Sequence, residues 1–386
     1  MQKKVSILYV ITKLELGGAQ KQLISLLTLL DKTRYNIFLF TAENGLLIDD
    51  ACSINGLTLI RSKFLERQIN PLKDILALIE IYLFIRKNNI DIVHTHSSKA
   101  GILGRLAAKF AGVRLKLHTV HGWSFNDYQP IFARAFFIQL EKFIANFTDA
   151  IIVVSNYDRQ VGLKSRIGIA HRYTLIRYGI NYDEFRKEYN AKEKLGIGAD
   201  NVLVGMISCF KPQKSPQDFI KLAYLIKKIS PSAKFILIGD GFLRKKLESL
   251  IDRLNLRHDI VLTGWRKDIP CLLSTIDIFV LTSLWEGLPV TVLEAMASGK
   301  PVAVTDTGGV REVVVEDKTG YIAPRGNIKE MVRKIEPLLR DEGLRRRMGQ
   351  NGRDSLASDF TIESMVKNSE NLYEKLFYDR KAVYVN

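Results

Sequence analysis

The stretch Ile278-Phe-Val-Leu-Thr-Ser-Leu-Trp-Glu-Gly-Leu-Pro-Val-Thr-Val-Leu-Glu-Ala-Met-Ala-Ser-Gly-Lys-Pro-Val-Ala-Val-Thr305 contains one complete strand–helix–strand unit. Its apolar ends, Ile278–Leu281 and Pro301–Thr305, predict strands, and Val292–Ala297 between them predicts a helix. Two neighbouring strands that are joined through a helix run parallel. The stretch therefore predicts a parallel α/β sheet that is covered by helices.

Two carboxylates lie at the start of this predicted helix. Glu286 stands in a turn with Gly287 and Pro289, and Glu294 lies inside the helix. Proline is tolerated in the first turn of a helix, so Pro289 indicates that the helix begins there. Unpaired N–H groups and the positive end of the helix dipole favour a phosphate at such a position. The two carboxylates add acceptors for hydroxyl groups, which together suits a sugar diphosphate.

The same alternation of strands and helices runs through the whole chain of 386 residues. It pauses over residues 178–200, which are rich in turn-forming and charged residues. A chain of this length exceeds what one core usually supports. We therefore predict two Rossmann-like, doubly wound parallel-sheet domains, residues 1–185 and 195–360, followed by a last helix over about 361–386.

Composition excludes several protein classes. No apolar run approaches the roughly 18 residues that span a bilayer. Met1–Ile11 has basic residues before an apolar run, but no small-residue cleavage site follows, so it is interpreted as a first strand. The three cysteines are odd in number and far apart in the sequence, which favours a reducing cytoplasm.

The net charge is +16, and basic residues concentrate between Arg86 and Lys116. Such a surface attracts an anionic partner, whether phospholipid, a lipid-linked phosphate or nucleic acid. The competing interpretation is an ordinary solvated helix face, because most lysines and arginines lie at the surface.

Glycines and lysines follow several predicted strands at the point where each strand ends. These candidates are Gly17-Gly18, Lys211 and Lys214, Gly239-Asp-Gly241 and Gly308-Gly309. Ligands of open α/β sheets bind at the carboxyl ends of the strands. The convergence of these candidates on strand ends is therefore more informative than any one of them.

Four of the six histidines lie at the ends of two predicted strands. His94 and His96 share one strand face, and His118 and His121 follow in the next strand. Their spacing matches no recognised zinc ligand set, so we predict no metal site. His94 and His118 are interpreted as buried structural residues, and His121, which precedes a glycine, as a ligand contact.

A family resemblance rests on specific motifs. These are Gly17-Gly18, Lys214, Gly239-Asp-Gly241, Ser283-x-x-Glu286-Gly-Leu-Pro-x-x-x-Leu-Glu294-Ala-Met-Ala-x-Gly299-x-Pro301 and Gly308-Gly309-x-x-Glu312. Over nearly the whole chain they resemble the retaining glycosyltransferases of family 4, which have the GT-B fold. The resemblance implies that a nucleoside-diphosphate sugar is held mainly by the second domain, and that the last helix crosses back to the first.

The resemblance also implies roles for particular residues. Glu286 contacts the hydroxyls of the donor sugar, Glu294 binds the ribose, and Lys214 neutralises the diphosphate. Gly18 approaches the diphosphate through its backbone N–H, and His121 lies close to the reacting sugar. Catalytic roles are thus implied for His121, Glu286 and Lys214. Further donor-binding positions are Lys211, Gly239, Gly241, Gly287, Leu288 and Pro289.

The sequence departs from the family pattern at two points. Ser208 or Cys209 stands where family members often have an arginine, and Lys211 is the candidate for the missing charge. The stretch 177–181 replaces a common Pro-Asn-Gly-Val-Asp, so contacts of that asparagine are not carried over.

The acceptor is expected to bind the first domain. Lys99, Arg105 and Lys109 are the candidates for an acceptor-binding or membrane face. The aromatic segment Pro130–Phe143 nearby is interpreted as a buried helix rather than an interfacial one. We expect a peripheral enzyme on the cytoplasmic side of an anionic membrane, with a lipid-linked or glycan acceptor.

The expected reaction is metal-independent, cofactor-free transfer of a sugar to an acceptor hydroxyl with retention at the anomeric carbon. One alternative is a nucleotide-sugar 2-epimerase of the same fold, which would form a free epimer without an acceptor. The other is a non-catalytic basic protein that binds nucleic acid. No nucleic-acid-binding motif is present, so nucleic acid is not an expected partner.

Overall fold

The computed structural model describes residues 4–189, 191–356 and 358–383. The chain divides into two compact units. The first unit contains the chain up to Gly179 and the chain from Ile362 onward, and the second contains Ile180–Thr361.

The first unit is built on a seven-stranded parallel sheet with the strand order β3-β2-β1-β4-β5-β6-β7. Its strands are β1 (Val5–Ile11), β2 (Tyr35–Ala42), β3 (Leu57–Ser62), β4 (Ile92–His96), β5 (Leu115–Val120), β6 (Ala150–Val153) and β7 (Tyr173–Leu175). Its helices are α1 (Gly18–Leu29), α2 (Ile48–Cys52), α3 (Pro71–Asn88), α4 (Ser98–Phe110), α5 (Ile131–Ala145), α6 (Asn156–Lys164) and the terminal helix, which is named below.

Alternate side chains of β1 point to two separate cores. Ile7, Tyr9 and Ile11 pack with α1 and the terminal helix, whereas Leu8 and Val10 pack with α3 and α4. Helix α5 covers β5 and β6 on the same side of the sheet as α3 and α4. The helices α3, α4 and α5 therefore form one layer on one face of this sheet.

The second unit is built on a six-stranded parallel sheet with the strand order β10-β9-β8-β11-β12-β13. Its strands are β8 (Leu203–Ile207), β9 (Lys234–Ile238), β10 (Ile260–Leu262), β11 (Ile278–Leu281), β12 (Val302–Thr305) and β13 (Gly320–Ala323). Its helices are α7 (Tyr182–Phe185), α8 (Pro216–Ile229), α9 (Arg244–Arg253), α10 (Ile269–Thr275), α11 (Val290–Ala297), α12 (Ile328–Arg340) and α13 (Glu342–Ser355).

The terminal helix, α14 (Ile362–Val383), belongs to the first unit. Tyr373 of α14 is buried and its hydroxyl lies 3.0 Å from that of Tyr9 on β1. The predicted fold class is confirmed: both sheets are parallel and doubly wound, and the last helix returns to the first unit. None of the described helices is long and apolar enough to cross a membrane.

Candidate active site

In each sheet the strands end along one edge, which we call the carboxyl edge. In the second unit, the loop after β8 and the loop after β11 are joined there by hydrogen bonds. The Leu284 N–H donates to the Gln213 carbonyl at 2.8 Å, and the Gln213 side chain donates to the Trp285 carbonyl at 2.9 Å. The Thr282 hydroxyl also donates to the Ser215 carbonyl at 2.9 Å. The two loops are therefore held as one structure.

The two joined loops bring Lys214 and Glu286 together. The Lys214 ammonium forms an ion pair with Glu286 Oε1. Only 18% of the lysine side chain and 7% of the glutamate side chain are exposed. A desolvated pair of this kind fixes both groups more firmly than a surface pair. The two residues that the resemblance assigned to the diphosphate and to the sugar thus lie in direct contact.

The glycine turn after β12 packs against Glu286 and Gly287. The Gly309 N–H donates to the Gly287 carbonyl at 2.6 Å. Gly308 has a φ of +54°, and a Cβ there would lie 2.3 Å from the carbonyl oxygens of Glu286 and Gly287. Gly308 is therefore required for this close approach. The Gly309 N–H is thus already bonded within the protein.

Helix α11 begins as the sequence predicts, with Pro289 as the residue before its first turn. Gly287, Leu288 and Pro289 are buried, and Glu294 is buried inside the helix. The proline fixes the entry of the chain into the helix. Glu294 therefore lies eight positions after Glu286 and about one turn into the helix.

Three hydroxyls at the same edge were given no binding role from the sequence. Ser208 follows β8, Ser283 follows β11, and Thr291 lies in the first turn of α11. Their side-chain oxygens are buried and have no hydrogen-bond partner within the described part of the chain. Buried polar groups are normally paired, so these hydroxyls leave acceptor and donor capacity around the site. Serine and threonine are too common for sequence alone to have identified them.

Gly239 and Gly241 follow β9 at this edge, and their backbone N–H groups form hydrogen bonds within the protein. The Gly239 N–H donates to the Gly264 carbonyl, and the Gly241 N–H to the Asp240 side chain. Gly239 has a φ of +128°, and a Cβ there would lie 2.0 Å from the Ser208 carbonyl. These glycines therefore shape the loop after β8. Their contact with a donor, like that of the partly exposed Lys211, stays a prediction.

The first unit carries a buried cluster of histidine and tyrosine rings. His96 Nδ1 lies 2.9 Å from His121 Nε2, and His121 Nδ1 lies 2.8 Å from the Tyr178 hydroxyl. Both ring nitrogens of His121 are thus engaged. His96 Nε2 is buried without a hydrogen-bond partner among the described residues.

The other two histidines of β4 and β5, His94 and His118, are structural, as the sequence predicts. His94 lies 2.8 Å from the Tyr373 hydroxyl and 2.7 Å from the Thr119 hydroxyl, and His118 lies 2.9 Å from the Thr95 hydroxyl. These bonds tie β4 to β5 and, through Tyr373, to α14. The tyrosine at 373 and that at 178 were not predicted, because their histidine partners are distant in sequence.

The histidine cluster is neutral at physiological pH. Burial lowers the pKa of His121 to about 4 and that of His94 to about 3. Burial, with the nearby histidines as a smaller cause, holds the pKa of His96 well below its ordinary value. His121 can therefore exchange hydrogen bonds with a ligand, but it supplies no positive charge.

Gly18 opens helix α1 at the carboxyl edge of the first sheet. No side chain caps this helix, and the Lys21 N–H is bonded to the Gly17 carbonyl. A helix start presents unpaired N–H groups. The contact of the Gly18 N–H with the donor diphosphate therefore stays a prediction.

The basic face predicted from the sequence needs correction. Arg105 is 1% exposed, and its guanidinium pairs with Glu141 of α5 at 3.1 Å. Lys99 is mostly buried and pairs with Asp74 at 2.6 Å. Only Lys109 is exposed, with its ammonium 4.5 Å from the centre of the Phe147 ring. The prediction that Arg105 and Lys99 lie on the surface is wrong, because each pairs with a carboxylate on a neighbouring helix.

The interpretation of Pro130–Phe143 as a buried helix is also wrong for most of α5. Phe132 is 91% exposed, Ile131 82% and Phe136 62%. The side that faces the protein carries Glu141 together with the buried Ile144 and Ala145, and the opposite side of the helix is apolar as well.

No group of three or more His, Cys, Asp or Glu residues that could hold a metal ion occurs in residues 4–189, 191–356 and 358–383. Metal independence nevertheless remains a prediction for experiment.

Two known families match the chain, one along most of each unit. Residues 16–184 match the family described as Glycosyltransferase Family 4, and residues 187–355 match Glycosyl transferases group 1. The chain is 32% identical over 383 residues to the Escherichia coli UDP-Gal:alpha-D-GlcNAc-diphosphoundecaprenol alpha-1,3-galactosyltransferase. The alignment covers 96% of this chain and 97% of that enzyme. The chain belongs to glycosyltransferase family 4.

Two further proteins are similar to this glycosyltransferase. The Campylobacter jejuni N,N'-diacetylbacillosaminyl-diphospho-undecaprenol alpha-1,3-N-acetylgalactosaminyltransferase is 30% identical, with 80% of this chain and 83% of that enzyme covered. Anabaena HepE, crystallised with UDP-glucose, superposes with a TM-score of 0.82 at 22% identity, covering 96% of this chain and 99% of HepE. At that identity the structural likeness establishes the fold, which is GT-B.

Proposed function

We propose that this glycosyltransferase transfers a hexose or N-acetylhexosamine from its UDP-activated form to a sugar that is attached to a lipid through a diphosphate. The observation that carries the proposal is the desolvated Lys214–Glu286 pair, which lies where two strand-end loops meet. The similar Escherichia coli and Campylobacter jejuni enzymes are named for diphosphoundecaprenol-linked acceptors. The similar HepE was crystallised with UDP-glucose.

The donor binds at the carboxyl edge of the second sheet. Lys214 neutralises charge on the diphosphate while it remains next to Glu286, whose carboxylate accepts hydrogen bonds from donor-sugar hydroxyls. Glu294 accepts from the ribose, and the unpaired hydroxyls of Ser208, Ser283 and Thr291 supply further hydrogen bonds. A diphosphate held in this way is a better leaving group, because negative charge on it is stabilised as it departs.

In the reaction, the bond between the anomeric carbon and the diphosphate oxygen breaks. A new bond forms between that carbon and the acceptor hydroxyl oxygen, and the hydroxyl proton passes to the departing diphosphate. Attack on the same face retains the configuration. His121, which is neutral, orients a hydroxyl of the reacting sugar rather than balancing charge. The reaction requires neither a metal nor a cofactor in this proposal.

We place the enzyme on the cytoplasmic face of an anionic membrane, where a lipid-linked acceptor would be found. Three observations support this: the net charge of +16, three cysteines without disulfide bonds, and the lipid-linked acceptors named for the similar enzymes. Nucleic acid is not among the proposed partners.

The test is a transfer assay with a panel of UDP-sugars and two acceptors, a polyprenyl-diphosphate-linked sugar and the same sugar free. We expect a disaccharide on the lipid-linked acceptor from one donor, detected by mass. Release of a free UDP-sugar epimer without transfer would instead support the epimerase, and transfer only to the free sugar would overturn the lipid-linked acceptor.

A further inference from the structure

The layer formed by α3, α4 and α5 exposes large apolar side chains to solvent. Phe132 and Ile131 at the start of α5 are the most exposed. A second stripe runs along α3 at helical spacing: Leu72 (70% exposed), Ile75 (58%), Ile79 (45%) and Leu83 (58%). Scattered single apolar residues are normal on a protein surface, but two stripes on one layer mark an interaction surface.

Helix α5 is apolar on both sides: Phe137, Ile138 and Ile144 pack against the unit, and further large apolar side chains lie on the outward side. An ordinary surface helix buries its apolar side and exposes its charged side. Here Glu141 faces inward, where it pairs with the buried Arg105, while Phe132, Phe136 and Phe143 point outward. The buried ion pair holds α5 against α4 in this orientation. The outward aromatic side is therefore built into the packing of the unit.

The exposed charged residues on the helices of this layer are basic. Arg86 and Lys87 on α3, Lys109 on α4 and Arg134 on α5 are the exposed charged residues that the structure describes on these three helices, and Arg134 pairs at 3.3 Å with Asp127 of the preceding loop. The acidic residues of the helices are withdrawn: Asp74 pairs with Lys99, Glu80 bonds the Ser62 hydroxyl, and Glu141 is buried. An apolar surface with an excess of basic charge around it matches lipid acyl chains beneath anionic headgroups.

We propose that this surface, defined as Leu72, Ile75, Ile79 and Leu83 of α3 with Ile131, Phe132 and Phe136 of α5, inserts into the headgroup–acyl boundary of an anionic phospholipid bilayer. The proposal rests on the proposed lipid-linked acceptor and names the surface by which the enzyme reaches it.

A bilayer fits the observations better than a protein partner. The two stripes lie on separate helices with α4 between them, so they form a broad face rather than a groove. A fluid bilayer covers such a face without matching its shape, and its anionic headgroups can pair with Arg86, Lys87 and Lys109. The loop of residues 121–130 joins the end of β5 to the start of α5 and begins with His121, so the apolar face begins near the carboxyl edge of the first sheet.

The experiment compares vesicle binding with turnover of a soluble acceptor. A Phe132→Ser/Phe136→Ser variant and a control Leu29→Ser/Val315→Ser variant are sedimented with vesicles of phosphatidylglycerol and phosphatidylcholine. Leu29 and Val315 are about half exposed and lie outside the face, so they control for the removal of exposed apolar side chains elsewhere on the protein. Turnover is followed with a short-chain, water-soluble diphosphate-linked sugar.

We expect the double phenylalanine variant to bind vesicles at least tenfold more weakly, with turnover of the soluble acceptor within twofold of the wild type. The control should bind like the wild type. An Arg86→Gln/Lys87→Gln variant should lose affinity for anionic vesicles and leave the weaker binding to neutral vesicles unchanged.

Unchanged vesicle binding by the phenylalanine variant would overturn the proposal. So would a wild-type dimer in solution that the variant abolishes, because the face would then bind a second copy. Loss of soluble-acceptor turnover in the folded variant would assign Phe132 and Phe136 to the acceptor site instead. Vesicle binding by a wild type that transfers no sugar would leave the surface standing and refute the proposed function.

Discussion

The outer helices of the two units have opposite surfaces. In the second unit, α12 and α13 carry exposed pairs of opposite charge, such as Glu330–Arg333, Glu336–Arg340 and Glu342–Arg346. In the first unit, the exposed residues of the α3–α5 layer are mainly apolar and basic. Two units with the same doubly wound architecture therefore present different surfaces. The surface of the second unit suits water, and our proposal assigns that of the first to a lipid bilayer.

The largest effect is expected at the donor site of the second unit. Replacing Lys214 by Met or Glu286 by Gln should lower turnover roughly 100- to 1,000-fold. The first substitution removes stabilisation of the departing diphosphate, and the second weakens the hydrogen bonds to the hydroxyls of the donor sugar. Lys227→Met is the matched control, since Lys227 is a similarly shielded lysine of the same unit paired with Asp259 at 2.9 Å. Comparable losses in the control and in the site variants would show that folding, and not catalysis, was affected. Vesicle binding should be unchanged in all three variants.

The orientation of α5 should depend on its buried ion pair. Arg105→Met leaves the buried Glu141 carboxylate without its positive partner and with only the Ser124 hydroxyl at 3.5 Å, which should cost about 3–5 kcal/mol of unfolding free energy. An Arg105→Met/Glu141→Leu double variant removes both charges and should recover most of that loss. The measurement is denaturant unfolding of the two variants beside the wild type. A single variant within about 1 kcal/mol of the wild type would contradict the anchoring role.

Acid should destabilise the first unit before the second. His94 and His121 have pKa values of about 3 and about 4 when folded, against about 6.5 unfolded. The unfolded chain binds more protons below pH 6.5, so stability is full above that pH and falls as the pH drops. At pH 5 each of these histidines should cost about 2 kcal/mol. Hydrogen exchange at pH 7 and pH 5 should show greater loss of protection in the first unit, and equal loss in both units would refute this.

The smallest expected effect is that of metal removal. Dialysis against EDTA should change turnover less than twofold, because Lys214 provides the positive charge next to the diphosphate. The assay should be repeated after adding Mg²⁺ and Mn²⁺. A tenfold loss that either ion restores would show that the donor requires a metal.

The sequence predicted the regular elements well and the surfaces poorly. The predicted strand Ile278–Leu281 agrees with the structure at both ends, because a continuous apolar run bounded by turns is a clear signal. The edge strand Tyr173–Leu175 was not predicted, since it has only three residues and is partly exposed. The Lys214–Glu286 contact was implied by the family resemblance, not by spacing.

The failure at α5 has a physical cause. Helix α5 is apolar on both sides, so its apolar residues at helical spacing did not show that one of those sides would be exposed. The orientation of the helix is supported by the Arg105–Glu141 pair, whose members are 36 positions apart. The same pair explains why Arg105 was placed on the surface, since a buried arginine is rare unless it is paired.

The central claim is that this glycosyltransferase joins a UDP-activated sugar to a lipid-linked sugar with retention. Nuclear magnetic resonance of the product made from an α-linked UDP-hexose and a polyprenyl-diphosphate-linked sugar tests it most directly. The account predicts a new α-glycosidic bond to the sugar of the acceptor. A β-glycosidic bond, or a free UDP-sugar epimer with the acceptor unchanged, would contradict it.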